Sequence, residues 1–457
     1  MTRYDAIVIG SGQAGNPLAQ KLAEQGWSVA LIEKEHLGGT CVNTGCTPTK
    51  TMVASAQVAH YARHGSTWGV HTGAVTVDMA EVVARKDRVV NQSRSGLEKK
   101  TAAQKNLRLY RGAARFLGPH RMCVGQEEIE GERIFINTGT RPAIPTLMGL
   151  DGVDYLTNAS IMQLSEVPKH LLVLGGGYVG LEFGQMFRRF GSEVTIVNRD
   201  DHILPREDAD ITEELQKTLE KEGVRFLLRA NATGVDKQNG QFGLTFETNG
   251  KAETVRASHL LVATGRKPNT DDLGLESAGV QVTSKGFIKV NGRLETNVPG
   301  IWALGDVKGG PAFTHISFND YQIVYGNLVE GKNLSTDHRL VPYAVFTDPQ
   351  LGRVGMTEKE ARAAGYKLKI GKIPMSWVAR AIERDETDGL MKIVVDAATD
   401  KILGAAILSS EGGELVQILS FVMLAGAPYT LTKGAIYIHP TLAEGFWTLM
   451  DQVKPVE

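Results

Sequence analysis

The chain has 457 residues, of which 42% are hydrophobic and 22% charged, and its formal net charge is −1. This length exceeds what one hydrophobic core supports and predicts three or four domains. The balanced charge gives no electrostatic case for binding nucleic acid or an anionic membrane surface, and no apolar run reaches the roughly 18 residues of a membrane span. Only three residues are cysteines, which indicates a reducing compartment, so we expect the cytoplasm.

The first 33 residues have the pattern of a dinucleotide-binding unit. A buried strand is predicted over residues 4–9, a helix over about residues 16–25, and a second strand over residues 28–32, which ends at Glu33. The first turn has the spacing Gly-x-Gly-x-x-Gly, whose glycines let a pyrophosphate approach the backbone and let helix and strand pack. The helix N-terminus favours the bound anion, and Glu33 stands where a carboxylate can accept a hydrogen bond from a ribose.

The same unit recurs in the middle of the chain. A strand over residues 171–174, a second Gly-x-Gly-x-x-Gly turn, a helix to about Phe190 and a strand over residues 193–197 are predicted. One such turn is weak evidence, since glycine-rich turns also occur in α/β domains that bind no ligand. Two turns, each flanked by the required strand and helix, predict two dinucleotide sites.

The remaining segments complete the predicted organisation. Buried strands over residues 134–139 and 260–265 each end in Thr-Gly and mark crossings between domains, and a short strand ending in Gly-Asp is predicted over residues 300–306. Residues 50–105 are polar and predict an exposed excursion of two helices. From about residue 337 the pattern is α+β, with predicted strands over residues 391–396 and 403–408 and a helix over residues 413–424.

Two of the three cysteines stand in residues 38–50, Gly-Gly-Thr-Cys-Val-Asn-Thr-Gly-Cys-Thr-Pro-Thr-Lys. In a regular helix, five steps of about 1.5 Å would separate the Cα atoms of Cys41 and Cys46 beyond the usual disulfide limit of about 7 Å. The helix must be interrupted, and Gly45 permits this. A redox-active pair, half of a metal site and two buried apolar side chains all stay open, although no second Cys/His pair lies nearby at ligand spacing. Cys123 lies in an apolar strand-like run and is predicted to be a core residue.

Taken in order, these motifs resemble those of the class I flavin-dependent pyridine nucleotide-disulfide oxidoreductases, over essentially the whole chain. The most specific matches are residues 38–50 and the run His439-Pro-Thr-Leu-Ala-Glu444. The resemblance implies an α/β fold with two Rossmann-like domains, for FAD and for NAD(P), and an α+β dimerisation domain. The implied boundaries are 1–148 for the first part of the FAD domain, 149–265 for the NAD(P) domain, 266–336 for the central second part of the FAD domain, and 337–457 for the dimerisation domain.

The resemblance also implies a role for each motif residue. Electrons would pass from the nicotinamide through FAD to a Cys41–Cys46 disulfide, with Cys46 beside the flavin and Cys41 facing the substrate. A histidine suits the proton transfers that a reacting thiol needs, and the resemblance places it across a dimer interface from Cys41. The implied catalytic residues are Cys41, Cys46, His439, Glu444, Lys50 and Glu182. Among them, Lys50 and Glu182 would form an ion pair beside the flavin, and Glu444 would fix the tautomer of His439.

The implied cofactor contacts fall into two groups. Glu33 would hold the adenosine ribose, Asp306 the ribityl chain, and Tyr178 would cover the nicotinamide face of the flavin. The residues implied for FAD are Gly10, Gly12, Gly15, Glu33, Gly39, Thr40, Lys50, Ala114, Thr138, Gly139, Gly305 and Asp306. The residues implied for NAD(P) are Gly175, Gly177, Tyr178, Gly180, Asn198, Arg199, Arg206 and Gly265.

The preferred nicotinamide nucleotide and the branch of the resembled family can also be predicted. Asn198 replaces the acid that dihydrolipoamide dehydrogenases generally carry, and Arg199 and Arg206 follow it, which suits a 2′-phosphate and predicts NADPH, with NADH possible. The alternative is that both arginines are surface charges. His315 is a further candidate near the flavin. The mercuric-reductase-like branch linked to reactive-chlorine resistance is favoured by residues 135–139, 305–310, 313–317, 341–346 and 353–357.

We therefore expect a homodimer with a shared active site that passes electrons from NADPH to a small disulfide, an oxidant or a metal ion. The alternatives are an NAD-linked dihydrolipoamide dehydrogenase and a redox-inactive flavoprotein that serves as a binding partner. The cysteine pair together with His439 and Glu444 disfavours the last of these, since a scaffold needs none of them. No cysteine pair stands near residue 457, so we do not expect efficient Hg(II) reduction. No metal site, nucleic-acid partner or membrane partner is predicted.

Overall fold

The N-terminal part of the chain forms a layered α/β domain. The structure is a computed structural model, and it describes residues 1–456. The elements of the first 142 residues are β1 (Thr2–Ile9), α1 (Gly15–Glu24), β2 (Val29–Glu33), α2 (Gly39–Asn43), α3 (Cys46–His64), α4 (Met79–Ala102), β3 (Leu107–Arg111), β4 (Ala114–Gly118), β5 (Arg121–Val124), β6 (Glu127–Ile136) and β7 (Thr140–Pro142).

The first sheet confirms the first predicted dinucleotide unit. Its strand order is β3-β2-β1-β6-β5-β4, and β1 pairs in parallel with both β2 and β6. All five residues of β2 are buried, as expected for a parallel strand that is covered on both faces. The turn between β1 and α1 therefore lies at the carboxyl edge of the sheet, where α/β folds bind ligands.

The second predicted unit is also confirmed. The elements of residues 170–262 are β8 (His170–Leu174), α5 (Tyr178–Phe190), β9 (Glu193–Val197), α6 (Ala209–Lys221), β10 (Val224–Leu227), β11 (Asn231–Gln238), β12 (Gln241–Thr248), β13 (Lys251–Ala257) and β14 (His259–Val262). The parallel sheet has the order β10-β9-β8-β14, and β11, β12 and β13 form an antiparallel meander.

After β14 the chain returns to the first domain. The elements of this part are β15 (Arg266–Pro268), α7 (Leu275–Ala278), β16 (Ile301–Ala303) and α8 (Thr314–Leu328). β15 pairs with β7 in a two-stranded link, and β16 pairs in parallel with β6 and so extends the first sheet. The first domain is thus built from two separate stretches of chain.

The C-terminal part is α+β, as predicted. Its sheet has the strand order β17-β18-β21-β20-β19-β22 and is antiparallel. The elements are β17 (Tyr343–Val345), β18 (Gln350–Gly355), α9 (Glu358–Ala363), β19 (Leu368–Pro374), α10 (Ala379–Glu383), β20 (Leu390–Asp396), β21 (Ile402–Ser409), α11 (Gly412–Leu424), α12 (Thr430–Lys433), α13 (Gly445–Asp451) and β22 (Lys454–Pro455). The exact domain boundaries stay predictions.

The structure corrects three details of the sequence prediction. The helices of residues 50–105 are not simply exposed, because α3 packs against α5 and buries Met52 and Ala56 in the core of the second unit. The predicted strands over 134–139 and 260–265 end three residues early, since the chain turns out of each sheet toward a glycine with positive φ. Cys123 lies in β5 but is only partly buried. None of the helices described within residues 1–456 combines the length and apolarity that crossing a membrane requires.

Candidate active site

The turn between β1 and α1 forms a cradle for a pyrophosphate. A Cβ atom on Gly15 would lie 2.0 Å from the Gly10 carbonyl oxygen, so only glycine lets α1 begin this close to the strand. Gly12 lies between them, and a Cβ on Gly39 at the start of α2 would meet the Gly12 Cα at 2.8 Å. The positive end of the α1 dipole lies at this point and favours an anion, so the residues present fit the diphosphate of a dinucleotide.

Glu33 lies at the end of β2 and holds this turn in place. One carboxylate oxygen accepts hydrogen bonds from the Ser11 backbone nitrogen at 3.0 Å and the Ser11 hydroxyl at 2.6 Å, and the other accepts from the Glu35 nitrogen at 3.0 Å. A carboxylate has about four acceptor positions, so Glu33 can still accept from a ribose hydroxyl, as its predicted role requires.

Two buried polar residues that the sequence prediction did not identify complete the first site. The Asn137 side-chain oxygen accepts from the Gly15 nitrogen at 2.8 Å, and its amide nitrogen donates to the Leu304 carbonyl at 2.8 Å. Asn137 thereby joins the phosphate turn to the segment that carries Asp306. The Asp306 carboxylate accepts from the Thr140 hydroxyl at 3.0 Å.

Asp320 is the second such residue. It is fully buried, accepts from the Gly305 nitrogen at 2.8 Å, and lies 3.2 Å from the Lys308 ammonium and 2.7 Å from the Arg339 guanidinium. The buried carboxylate forms an ion pair with each cation, so none of the three groups is left without a charged partner. It therefore fixes the backbone that presents Asp306.

Asp320→Asn should destabilise the fold strongly, because it leaves two buried cations without a counter-charge. We expect the free energy of unfolding to fall by about 3 kcal/mol, measured by urea denaturation, and the purified protein to retain less flavin. The control is Glu98→Gln, which removes an exposed ion pair with Arg111 and should cost less than about 1 kcal/mol. Equal losses in both variants would contradict the supporting role of Asp320.

The second glycine turn, between β8 and α5, repeats the geometry of the first. A Cβ on Gly180 would lie 2.0 Å from the Gly175 carbonyl oxygen, whereas one on Gly177 would meet nothing within 4 Å. Gly177 therefore faces open space at the N-terminus of α5, where a phosphate can approach. Tyr178 is the first residue of α5 and is 39% exposed.

The three residues predicted to select the nucleotide differ in placement. Asn198 is buried, and its side chain accepts from the Gly176 nitrogen at 3.1 Å and donates to the His202 carbonyl at 2.9 Å. It supports the turn from inside, as Glu33 supports the first. Arg199 is exposed and lies 3.6 Å from Asp200. Arg206 is exposed, and no ion pair joins it to any residue within 1–456.

The cysteine pair lies where two helices meet. α2 ends at Asn43 and α3 begins at Cys46, which confirms the predicted interruption. A Cβ on Gly45 would lie 2.8 Å from the Thr40 carbonyl oxygen, so glycine is needed where the chain turns from one helix into the next. Cys46 occupies the N-terminus of the 19-residue helix α3, a position that favours a thiolate.

The electrostatics of the pair are asymmetric. The Cys41 thiol donates a hydrogen bond that lowers the pKa of Cys46 to about 6, and Thr314 and Lys50 act in the same direction against the effect of burial. The same hydrogen bond, together with burial, raises the pKa of Cys41 far above its ordinary value. The Cys46 sulfur lies 3.1 Å from the Thr314 hydroxyl, a contact that the sequence prediction missed. At neutral pH the pair thus consists of one thiolate and one thiol.

Lys50 and Glu182 form the predicted ion pair next to this thiolate. The Lys50 ammonium lies 2.6 Å from one Glu182 oxygen and 4.5 Å above the Phe346 ring, and the Phe346 nitrogen donates to the other oxygen at 2.9 Å. Glu182 is buried on α5. The pair therefore ties together α3, the second nucleotide unit and the C-terminal part of the chain.

His439 and Glu444 pair with each other away from the dithiol. The His439 Nδ1 atom and a Glu444 oxygen are 2.9 Å apart, and the His439 side chain is 73% exposed. Neither residue makes a hydrogen bond to Cys41 or Cys46 within residues 1–456 of the same chain. The Glu444 carboxylate can hold the imidazole in one tautomer, which leaves Nε2 free to act on a reactant.

The other predicted residues lie around these groups. The His315 Nε2 atom is 2.6 Å from the Pro342 carbonyl oxygen, and burial lowers the pKa of this imidazole, so the neutral ring is committed to a structural hydrogen bond. Ala114 is buried in β4 opposite Val124. The Thr138 hydroxyl donates to the Asn269 carbonyl at 2.8 Å. Six of the glycines at predicted sites have positive φ: Gly10, Gly39, Gly139, Gly175, Gly265 and Gly305.

Comparison with known protein families agrees with this geometry. Residues 4–320 match the family described as pyridine nucleotide-disulphide oxidoreductase, and residues 341–450 match the dimerisation domain of that family. Between the two matches lie residues 321–340, which comprise the second half of α8 and the connection that follows it.

Individual relatives span nearly the whole chain. The chain is 39% identical to the probable pyridine nucleotide-disulfide oxidoreductase RclA of Escherichia coli, over 99% of this chain and 100% of that protein. It is 36% identical to a mercuric reductase of Lysinibacillus sphaericus, over 97% and 81%, and 38% identical to a dihydrolipoyl dehydrogenase of Thermus scotoductus, over 97% and 96%. The solved Cu(II) complex of the HOCl-induced flavoprotein disulfide reductase RclA from Escherichia coli matches with a TM-score of 0.91, at 39% identity over 99% and 100%.

Proposed function

Since the chain belongs to the pyridine nucleotide-disulphide oxidoreductases and is an oxidoreductase, we propose that it uses NADPH to reduce a small disulfide or oxidant through the Cys41–Cys46 pair. The family uses FAD and a nicotinamide cofactor. The observation that carries the proposal is the cysteine pair itself, one thiol with a lowered pKa and one with a raised pKa, next to the Lys50–Glu182 ion pair.

Different residues of this chain would serve electron transfer and proton transfer. The first glycine turn, Glu33 and Asp306 would hold FAD, which would supply the disulfide with the electron pair taken from NADPH. Opening the disulfide with the hydride of NADPH yields one thiolate and one thiol, which matches the asymmetric pKa values of Cys46 and Cys41. Cys41 must then lose its proton before its sulfur can attack a substrate disulfide, and the leaving thiolate must gain one. His439, oriented by Glu444, would carry both proton transfers.

We place His439 and Glu444 at the active site of the partner subunit. The family match to a dimerisation domain supports a homodimer, and the exposed position of His439 allows it to reach another chain. The C-terminal part also exposes large apolar side chains that a monomer would leave in water. They are Phe421, Leu424, Leu431, Ile436, Ile438 and Trp447.

NADPH is the proposed reductant because two exposed arginines follow the second strand of the second dinucleotide unit. Arg199 and Arg206 are both exposed and follow β9, where the 2′-position of the adenosine ribose is read in this fold. Asn198 removes the negative charge that would repel a 2′-phosphate. The scarcity of cysteine fits a reducing compartment, and the cytoplasm remains the proposed location.

The proposal also extends to the identity of the electron acceptor. The relative RclA from Escherichia coli is an HOCl-induced flavoprotein disulfide reductase that forms a Cu(II) complex, so we propose a small disulfide, a chlorine-derived oxidant or Cu(II) as acceptor. The second candidate is a dihydrolipoamide dehydrogenase linked to NAD, favoured by the His439–Glu444 pair and by the similarity to a dihydrolipoyl dehydrogenase.

Steady-state turnover separates these candidates. The purified enzyme should oxidise NADPH with an acceptor from a panel of oxidised glutathione, lipoamide, hypothiocyanite, Cu(II) and Hg(II), and NADPH should give kcat/KM about tenfold or more above NADH. Preferential reduction of NAD by dihydrolipoamide would instead establish the second candidate. A clear preference for NADH would refute the roles of Arg199 and Arg206.

A further inference from the structure

A four-residue turn, residues 204–207, carries Arg206 and is anchored at its first residue to the second phosphate turn. The Leu204 nitrogen donates to the Gly176 carbonyl at 3.1 Å, and the Glu207 nitrogen donates to the Leu204 carbonyl at 2.9 Å, which closes the turn over Arg206. Leu204 has a φ of 46°, a left-handed conformation that surrounding contacts must hold for a leucine. We call residues 204–207 the Arg206 turn.

The last residue of the Arg206 turn is anchored to the C-terminal part of the chain. Glu207 is buried; the Tyr343 hydroxyl donates a hydrogen bond to one of its carboxylate oxygens, and the Arg353 guanidinium lies 3.2 Å from the other. Arg353 is itself buried and donates to the Val354 and Ala405 carbonyls at 3.0 and 2.9 Å. The carboxylate is therefore held by residues whose own positions are fixed by the C-terminal sheet.

The residue that follows the turn is held in the same way. One Asp208 oxygen accepts from the Glu358 nitrogen at 3.0 Å, at the start of α9, and lies 3.2 Å from the buried Lys392 ammonium. Across the same contact, the Tyr343 ring stacks on the Phe313 ring, with centroids 5.0 Å apart. Contacts with the C-terminal part of the chain thus fix the residues that follow Arg206. The hydrogen bond to the second phosphate turn fixes the residue at the start of the Arg206 turn.

We propose that Tyr343 and Glu207 are positioning residues for nucleotide specificity: their contact fixes the Arg206 turn, so that the guanidinium of Arg206 points where the 2′-phosphate of NADPH binds. A flexible arginine loses rotational and backbone freedom when it binds a phosphate, and a turn that is already fixed reduces that loss. The inference rests on the proposed preference for NADPH. It assigns part of that preference to a domain that does not itself contact the nucleotide.

The test compares two probes that differ only in the 2′-phosphate. Binding of 2′,5′-ADP and of 5′-AMP to the flavin-loaded dimer is measured by isothermal titration calorimetry. Tyr343→Phe keeps the ring and its stacking on Phe313 but removes the hydroxyl donor. We expect it to weaken 2′,5′-ADP about tenfold, the size of a hydrogen bond to a charged group, while 5′-AMP changes by less than about twofold.

Two further variants make the test specific. Lys221→Gln removes a contact to Asp388 between the same two parts of the chain but away from the Arg206 turn, and it should leave both affinities unchanged. In an Arg206→Gln background, Tyr343→Phe should have no further effect on 2′,5′-ADP, because both substitutions act through the same contact.

The outcomes distinguish this inference from the function on which it rests. Equal weakening of both probes by Tyr343→Phe, no weakening of either, or a persistent effect in the Arg206→Gln background would overturn the positioning role alone. If the unsubstituted dimer binds 2′,5′-ADP no better than 5′-AMP, the proposed NADPH preference fails, and the positioning role fails with it.

Discussion

Cys46→Ser should abolish reduction of any acceptor that depends on the dithiol, with a loss of kcat on the order of 10³ or more. Cys46 is the thiol whose pKa is lowered to about 6, so it is the sulfur that carries negative charge at neutral pH. A serine hydroxyl at the same place is neither a thiolate nor able to form a disulfide with Cys41. The matched control is Cys123→Ser, which removes the third cysteine from β5 and should leave kcat unchanged.

Anaerobic titration with NADPH gives a second readout of the same group. The two-electron reduced wild-type enzyme should show a long-wavelength absorbance that depends on a thiolate beside the flavin, and this absorbance should be missing in Cys46→Ser. Because the thiolate is present above its pKa and is protonated below it, the band should fall by half near pH 6. Survival of the band in Cys46→Ser would refute the assignment of Cys46.

Cys41, the other thiol of the pair, determines the pH at which the band falls by half. The hydrogen bond from Cys41 is the largest cause of the lowered pKa of Cys46, with smaller contributions from Thr314 and Lys50. Cys41→Ala removes this donor and prevents the disulfide, so Cys46 is a thiol without added NADPH. The half-point of the band, read in the oxidised variant, should move upward, toward the ordinary pKa of a cysteine. Cys41→Ser keeps a hydroxyl donor and should move it less. An unchanged half-point in Cys41→Ala would mean that the helix N-terminus and Lys50 suffice to stabilise the thiolate.

His439→Ala should lower kcat by about 10² to 10⁴, the usual contribution of general acid–base catalysis. Glu444→Gln should lower it less, because the amide still accepts a hydrogen bond from the imidazole while the negative charge is lost. Both effects are measured as turnover with saturating NADPH and acceptor. Thr441→Ala, which alters a neighbouring residue whose hydroxyl bonds only backbone atoms, is the control for local disruption.

Mixed dimers test where His439 acts. A hybrid of one Cys41→Ser subunit and one His439→Ala subunit contains one intact site if His439 serves the partner subunit's cysteine, and none if it serves its own. We therefore expect hybrids with half the wild-type turnover from two inactive parents. Inactive hybrids would show that each site is built within one chain.

The parts of the site that lie in continuous motifs could be predicted from the sequence. Both glycine turns, the interrupted helix at Gly45 and the pairing of His439 with Glu444 were all predicted from local spacing and family resemblance. Such motifs are short because the chemistry requires neighbouring groups within a few residues. The flanking strand and helix then fix their geometry.

The residues that the sequence did not reveal connect distant parts of the chain. Asn137 bonds to Gly15, 122 residues away, and the Thr314 hydroxyl contacts a cysteine 268 residues away. A single polar residue near the end of a buried strand belongs to no periodic pattern, so the sequence does not indicate its hydrogen-bond partner. Asn198 has a structural role that its spacing did not indicate: beside its predicted nucleotide contact, its side chain bonds the Gly176 nitrogen and the His202 carbonyl inside the turn.

The split construction of the first domain also sets an order of assembly. The strand β16 joins the first sheet beside β6, and the Leu304 carbonyl that binds Asn137 follows it directly. Residues 1–303 must therefore be synthesised before the nascent polypeptide can complete the first sheet. Until then the second nucleotide unit has all of its strands while the first still lacks one. Although its glycine turn is the first to be synthesised, the first dinucleotide unit is the later of the two to be completed.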